Sequence, residues 1–308
     1  MSERGTRTAD AGGAHARDGR TDSATEAFVA HRNLLFTVAY EMLGSAADAE
    51  DALQETWLRW VDVDLATVRD QRAYLVRIAT RQALIRLRTL RRRRESYVGP
   101  WLPEPLLTAP DVAEDVELAD SVSMAMLLVL ETLAPTERAV FVLREVFDLP
   151  YDDIAEAVDK SPAAVRQIAH RARAHVAARR PREAVSRAET REALAGFQQA
   201  IETGDLRRLL DMIAPDVVLL TDGGGVVRAA TAPVEGAQTV AAVLSRIDAT
   251  ALLQPAQING FPALTIHIDG AIDTVLAVRI DAGLITGLYA VRNPAKLSRV
   301  ARETAVSR

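Results

Sequence analysis

The sequence predicts a multidomain chain, two all-α modules followed by an α+β domain, and three observations lead there. Its 308 residues are about twice the ~150 that a single domain usually takes. As far as about residue 180, apolar side chains recur at helical spacing. Beyond Pro181 the pattern becomes alternating apolar runs punctuated by Asp-Gly turns, which is the signature of strands. The expected organisation is a disordered tail over 1–23, a helical module over 24–95, a Pro-rich acidic linker over 96–116, a second helical module over 117–184 and the α+β domain over 185–308.

The first module begins with a helix expected from Glu26 to Leu43, which Gly44 closes. Ser45-Ala46-Ala47-Asp48 has the form of a capping box and starts a second helix that runs to Trp60. Ala49, Ala52, Leu53, Thr56, Trp57 and Trp60 make its apolar face, and Asp48, Asp51 and Glu55 line the other side. A loop over 61–70 leads to a third helix from Arg72 to Arg94, with Tyr74, Leu75, Ile78 and Ile85 inward and Arg77, Arg81 and Arg88 outward. Four prolines in 97–116 exclude a continuous helix there, so the segment reads as extended.

In the second module Glu117–Leu133 is helical and Pro135 starts another helix through Val146. Tyr151–Val158 follows as a short helix, Asp159-Lys160 as a turn, and Ser161-Pro162 as the cap and first position of the next helix. Val165, Ile168, Ala169 and Ala172 face inward there and Arg166, Gln167, His170, Arg171 and Arg173 outward. This is a helix-turn-helix with a basic recognition helix. The third domain opens with helices from Arg187 to Thr203 and on to Ile213. Strands are expected at Val217–Leu220, Val226–Ala230, Leu264–Ile268, Ile272–Ile280 and Leu284–Val291, paired antiparallel.

A net charge of −5, from 37 basic and 42 acidic residues, gives no hint of nucleic acid, but the sum is the wrong observable. Residues 71–94 hold nine Arg and no acid, 101–120 six acids and no base, and 160–182 seven bases and no acid. Both basic blocks have helical apolar spacing, so they read as helix faces, not solvated tails. Cysteine is absent, which excludes disulfides, thiol nucleophiles and thiolate metal sites. The five histidines form no ligand pair, so no metal and no cofactor is implied. No run reaches the ~18 apolar residues of a membrane span, and the polar N-terminus has no signal core. The chain is therefore expected in the cytoplasm.

Residues 26–94 resemble region two of the extracytoplasmic-function (ECF) sigma factors of bacterial RNA polymerase. Ala47–Arg59 (ADAEDALQETWLR) is similar to that family's polymerase-clamp helix, and Arg72–Ala79 (RAYLVRIA) with the following arginines to its promoter −10 helix. Residues 117–182 resemble region four, the −35 reader. Three further pieces resemble a subgroup with an extra C-terminal domain: Trp101-Leu102-Pro103-Glu104-Pro105, Asp222-Gly223-Gly224-Gly225 and Asn293-Pro294-Ala295-Lys296-Leu297. Val226 and Ala295 stand where that subgroup usually has a Lys and an acid. The resemblance implies a SnoaL-like cone-shaped α+β barrel that regulates the sigma factor in place of a separate anti-sigma protein.

Under that resemblance Asp48, Glu50, Asp51, Gln54 and Glu55 meet core RNA polymerase at its β′ clamp, while region four meets the β flap. Arg72, Arg77, Arg81, Arg86 and Arg88 neutralise phosphates along melted −10 DNA. Ser161, Ala163, Ala164, Arg166, Gln167, His170, Arg171 and Arg173 face −35 DNA, Arg and Gln being the natural partners of guanine and adenine. The linker either threads a basic polymerase channel or docks on the barrel, and docking is the preferred expectation. In the barrel, Asp216, Asp222, His267 and Asp273 are the candidate acid–base groups, but no pair has convincing spacing. Regulation, or a small ligand in the barrel, is therefore preferred to catalysis. Two other readings stay open at this point, a helix-turn-helix regulator with a ligand-sensing barrel and a SnoaL-like isomerase or cyclase fused to DNA-binding helices.

Overall fold

A computed structural model describes residues 11–108, 121–179, 185–248, 250–300 and 302–307. Helices α1 (Ala11–Leu43), α2 (Ala46–Trp60) and α3 (Gln71–Glu95) form the first module. Ser45 caps α2 by accepting from the Asp48 N–H, and Asp70 caps α3 by accepting from the Ala73 N–H. The second module holds α4 (Met124–Glu131), α5 (Pro135–Phe141), a π turn (Val142–Val146), α6 (Tyr151–Val158) and α7 (Pro162–Ala177). Asp159 takes a left-handed conformation at the α6 terminus, with φ +55°, and this turns the chain into the Ser161 cap of α7. One apolar core spans both modules, with Leu35, Trp60, Leu75 and Leu90 packed in the same cluster as Leu127, Val142 and Val165.

The third domain contains α8 (Arg187–Thr203), α9 (Leu206–Met212) and α10 (Ala237–Leu244). Its sheet uses β1 (Leu107–Thr108), β2 (Ile213–Asp222), β3 (Val234–Glu235), β4 (Leu252–Ile258), β5 (Phe261–Ile268), β6 (Ala271–Asp281), β7 (Leu284–Val291) and β8 (Glu303–Thr304), in the order β3-β2-β7-β6-β5-β4-β1-β8. A short helix α11 (Pro294–Leu297) follows β7. One face of the sheet buries Leu219, Leu264, Leu276 and Leu288 with Phe197, Val240 and Leu244 of the helices. The other face buries Val275, Tyr289 and Val291 with Leu102 of the linker and Met124 of α4. The sheet is therefore covered on both sides, and the second cover is shared between the rest of the chain and the third domain's own Leu297 and Val300. Among the described residues no helix is long and apolar enough to cross a membrane.

Several expectations need correction. The tail expected to be disordered over 1–23 is helical from Ala11, running without a break into the rest of α1 although Gly12, Gly13 and Gly19 lower the local helix propensity; residues 1–10 and 109–120 lie outside the described residues. The strand expected at Val226–Ala230 is a loop, because the Val226 and Val227 N–H groups both donate back to the Gly223 carbonyl and close a turn instead of meeting a neighbouring strand, leaving Val226 74% exposed. Pairing is mixed, not antiparallel throughout, since β2 runs parallel to β7 and β1 parallel to β8. Strands β1, β3, β4 and β8 and helix α10 add to the expected elements. Pro255 hid β4, yet its missing N–H costs little there, since β4 meets β1 only at Ile258. Ile85 points outward and is 55% exposed, while Ala83, Leu87 and Leu90 face the core instead.

Candidate functional site

The linker is the centre of the molecule. Residues 101–106 have no regular structure, yet Leu102 to Leu106 are all buried between the modules and the sheet. Burying Leu102 and Leu106 contributes about 1.5–3 kcal/mol each. Prolines at 103 and 105 hold the backbone extended, so it crosses the interface without needing helical hydrogen bonds.

Asp222 ends β2 and is fully buried. Its Oδ2 accepts from the Leu102 N–H at 2.9 Å and from Lys296 Nζ at 2.6 Å. Its Oδ1 accepts from the Tyr97 hydroxyl and from the Gly224 N–H. Lys296 also donates to the Leu102 carbonyl and stands 3.5 Å from the centroid of the Trp101 ring, a cation–π contact shielded from water. The Arg94 guanidinium covers the same indole at 5.1 Å, and the Tyr97 ring packs edge-on against it. Burial lowers the Lys296 ammonium to about 8, while Asp222 acts in the opposite direction and keeps it charged at neutral pH. Asn293 completes the latch: its Nδ2 donates to the Tyr97 hydroxyl, and its Oδ1 caps α11 through the Ala295 N–H. Pro294 opens that helix and Leu297 packs in the same cluster as Leu102.

The glycines exist for closeness. A Cβ on Gly224, at φ +63°, would lie 2.3 Å from Asn293 Nδ2, and one on Gly223 would lie 2.5 Å from the Val227 carbonyl oxygen. Gly225 borders Val98.

Glu104 does separate work. Its Oε2 accepts from the Ala46 N–H at 2.8 Å, the Ala47 N–H at 3.2 Å and the Ser45 hydroxyl, so a linker carboxylate sits on the positive end of α2. The Glu104 N–H donates to the Gly44 carbonyl and the Glu104 carbonyl accepts from the Tyr40 hydroxyl. Trp101, Leu102, Pro103, Glu104 and Pro105 thus join the third domain to the first through adjacent residues.

One residue of this interface escaped the sequence reading. Asn259 is fully buried in the β4–β5 turn; its Oδ1 accepts from the Leu106 N–H, and its Nδ2 donates to the Tyr40 hydroxyl and the Val122 carbonyl. It therefore touches linker, first module and second module at once. The signal was present, since Asn259-Gly260 between two apolar runs is the strongest short hairpin mark.

Beside it lies a buried acid. Glu41 Oε1 accepts from the Ser121 hydroxyl at 2.7 Å, and its backbone carbonyl accepts from Arg138 Nε, itself buried and paired with Glu131. Burial pushes the Glu41 carboxyl from 4.5 up to about 8, with Ser121 and Arg138 opposing. The folded chain then holds a proton that the unfolded chain releases above 4.5, so this group's stabilisation is lost as pH rises through 8. Glu41→Gln, which keeps the shape without the ionisation, is expected to remove that slope. Melting curves across this pH window check it, and parallel pH dependence in the two proteins would count against it.

The basic and acidic faces are partly occupied. Asp48, expected at the surface, is buried, and Arg86 donates to it at 3.3 Å and to Asp51, so neither Asp48 nor Arg86 is a free surface group. The reason is the packing of α2 on α3, which places the capping acid against the arginine face. Glu50 pairs with Arg32 at 2.7 Å. Asp51, Gln54 and Glu55 are exposed, and with them Leu58, an apolar side chain 51% exposed that continues the stripe by one turn. On α3, Arg72 and Arg88 are exposed, whereas Arg77 pairs with Glu156 of α6 and Arg81 donates to the Glu156 carbonyl at 2.7 Å. On α7, Ser161 caps, and Ala163, Gln167 and His170 are exposed, with Ala164 half-buried. Arg166 lies over the Tyr151 ring, Arg171 stands 3.8 Å from Glu137 and Arg173 pairs with Glu145.

The acid–base candidates are otherwise engaged: Asp222 in the latch, Asp273 with Arg292 at 2.9 Å, and His267 with the Thr265 hydroxyl, while Asp216 is exposed.

Residues 27–93 match the Sigma-70 region 2 family and residues 123–176 the Sigma-70, region 4 family. The ECF RNA polymerase sigma factor SigJ of Mycobacterium tuberculosis is 37% identical over 217 residues, 69% of either chain. The probable ECF RNA polymerase sigma factor SigI of the same organism is 34% identical over 290 residues, 92% of this chain and 97% of the relative. The crystal structure of SigJ is similar with a TM-score of 0.73 at 32% identity, over 89% of this chain and 98% of that one.

Proposed function

This chain belongs to the ECF sigma factors, whose partners are RNA polymerase and promoter DNA, and from that membership we propose that its third domain holds the two sigma modules in a closed arrangement. In this reading the exposed stripe Asp51, Gln54, Glu55 and Leu58, with the half-buried Glu50 beside it, meets the β′ clamp, with Asp48 and Arg86 bracing it from below. Arg72, Arg77, Arg81 and Arg88 serve the −10 element and α7 the −35 element, Ser161, Ala163, Ala164, Arg166, Gln167 and His170 facing bases and Arg171 and Arg173 phosphates. Region four meets the β flap. The observation that carries the reading is Glu156, which lies on the first helix of the −35 reader and engages both Arg77 and Arg81 of the −10 helix. While that contact holds, a carboxylate and a carbonyl take the positions that phosphates would need. In this reading the third domain contributes regulation and not chemistry, because Asp222, its buried carboxylate among the described residues, is committed to the latch and the half-buried Asp273 to Arg292.

Two experiments test this. Purified core polymerase is given fragmented genomic DNA with and without the chain, and transcript 5′ ends are mapped; starts sharing one −35 and −10 pair are expected only with the chain. No such starts would refute the assignment of the promoter faces. In parallel, Glu156→Gln, at an exposed position, is expected to raise the affinity of the chain for the mapped promoter about threefold to fivefold, the equivalent of about 1 kcal/mol. Unchanged affinity would argue against the closed arrangement.

A further inference from the structure

A cavity of about 490 Å³ lies between the inner face of the sheet and α10, within the size range of small-molecule sites. Its floor is apolar, with Leu219, Leu244, Ile266 and Leu276, so it suits a hydrocarbon or ring body. Its charges are unbalanced: Arg228, Arg246 and Arg292 face only Asp248 and Asp273. Asp273 is already taken by Arg292, through bonds of 2.9 and 3.1 Å. Asp248 is turned into its own loop, where it accepts from the N–H and hydroxyl of Thr250. Among the described residues, neither Arg228 nor Arg246 has a carboxylate within ion-pair distance, and both are exposed at the cavity.

We propose that this cavity binds a small amphiphile with an apolar body and a single anionic end group, held by Arg228 and Arg246, and that its occupancy acts on the Asp222 latch through Arg292. The proposal rests on the regulatory reading of the third domain and names the ligand class for it. The connection is short. The Arg292 guanidinium donates to the Arg228 carbonyl at 2.6 Å, while the Arg292 N–H donates to the Asp222 carbonyl at 2.7 Å. Thr221 lines the cavity one residue before Asp222 and ties down Ala230, so the cavity wall and the latch are built on the same two strand ends. A head group that draws Arg228 inward pulls on the loop carrying Gly223 to Gly225, which packs against Asn293 and Val98.

The test titrates the full-length chain calorimetrically with decanoate and with decanol, which share an apolar body and differ in the charged end. Decanoate is expected to bind at least tenfold tighter, and the double variant Arg228→Ala/Arg246→Ala, at exposed positions, to abolish that preference. Ile268→Trp, which fills the cavity, is expected to abolish binding of both probes. Equal affinity for the two probes, a preference that survives the double variant, binding that survives Ile268→Trp, or no binding at all would each overturn the site. Coupling to the latch is tested with Trp101→Ala, which lies across the latch and does not line the cavity. Because linkage is reciprocal, loosening the latch is expected to shift decanoate affinity threefold or more, and an unchanged affinity would overturn the coupling. No polymerase or DNA is present in these titrations, so a failure here is separate from a failure of the promoter experiment.

Discussion

Replacing Asp222 with alanine is expected to lower the stability of the chain by about 3–5 kcal/mol, the usual cost of removing one partner of a buried ion pair. The carboxylate accepts four hydrogen bonds, from Lys296, Leu102, Tyr97 and Gly224, and is fully buried. Without it Lys296 keeps the Leu102 carbonyl, the faces of Trp101 and Tyr97 and the charge of Glu104, with which it has no ion-pair contact, and these do not replace a contacting carboxylate. The Leu102 N–H is left unsatisfied beside it, at a further cost of about 1–3 kcal/mol that overlaps the first. Because Asp222 connects the third domain to the linker, the expected result has a local as well as a global component: residues 97–106 become susceptible to limited proteolysis before the helical modules unfold. Denaturant titration and a protease time course together check it. A midpoint equal to that of the wild type, with the linker still protected, would refute the latch. Promoter-specific transcription should change in the same variant, since the modules would then be released from the sheet.

Asn259→Ala is the second large effect expected, also about 3–5 kcal/mol. The side chain makes three hydrogen bonds in a fully buried place, to Leu106, Tyr40 and Val122, and its loss leaves the Leu106 N–H and the Val122 carbonyl without that partner. The backbone adds to this, because residue 259 has φ +55°, a region alanine enters at a cost of about 1–2 kcal/mol. Asn259→Gly separates the two contributions, since glycine accepts that backbone geometry but restores no hydrogen bond. The glycine variant is therefore expected to lie between the wild type and the alanine variant in chemical denaturation. If all three proteins unfold at one denaturant concentration, Asn259 does not hold the modules together.

The helical half of this fold was legible because its determinants are short-range. Gly44 at a helix end, Ser45 three residues before Asp48, and Ser161-Pro162 opening the recognition helix each act within one turn, and each appears in the structure at the position the spacing indicates. The sheet was harder to read. Pro255 concealed β4, and the edge strands β1, β3 and β8 are two residues long, too short for any alternation to show. The three C-terminal and linker motifs were visible as residues of one subgroup, but Asn259 was not among them although its hairpin mark was present. Arg86 shows the limit from the other side: a face of arginines predicts positive potential, yet an acid brought in from another helix can already occupy one of them.

The sequence by itself determined the division into two helical modules and a strand-rich domain, the helix-turn-helix, and the family, since periodicity, caps and motif identity are properties of neighbouring residues. Only the tertiary structure decided which of the charged groups are free. Asp222 meets Leu102 from 120 positions away, Glu104 meets the first turn of α2 from 58, and Arg77 meets Glu156 from 79. Contacts at that separation follow from how whole elements pack, because the same carboxylate that would be solvated on an isolated helix becomes a buried partner once another element covers it.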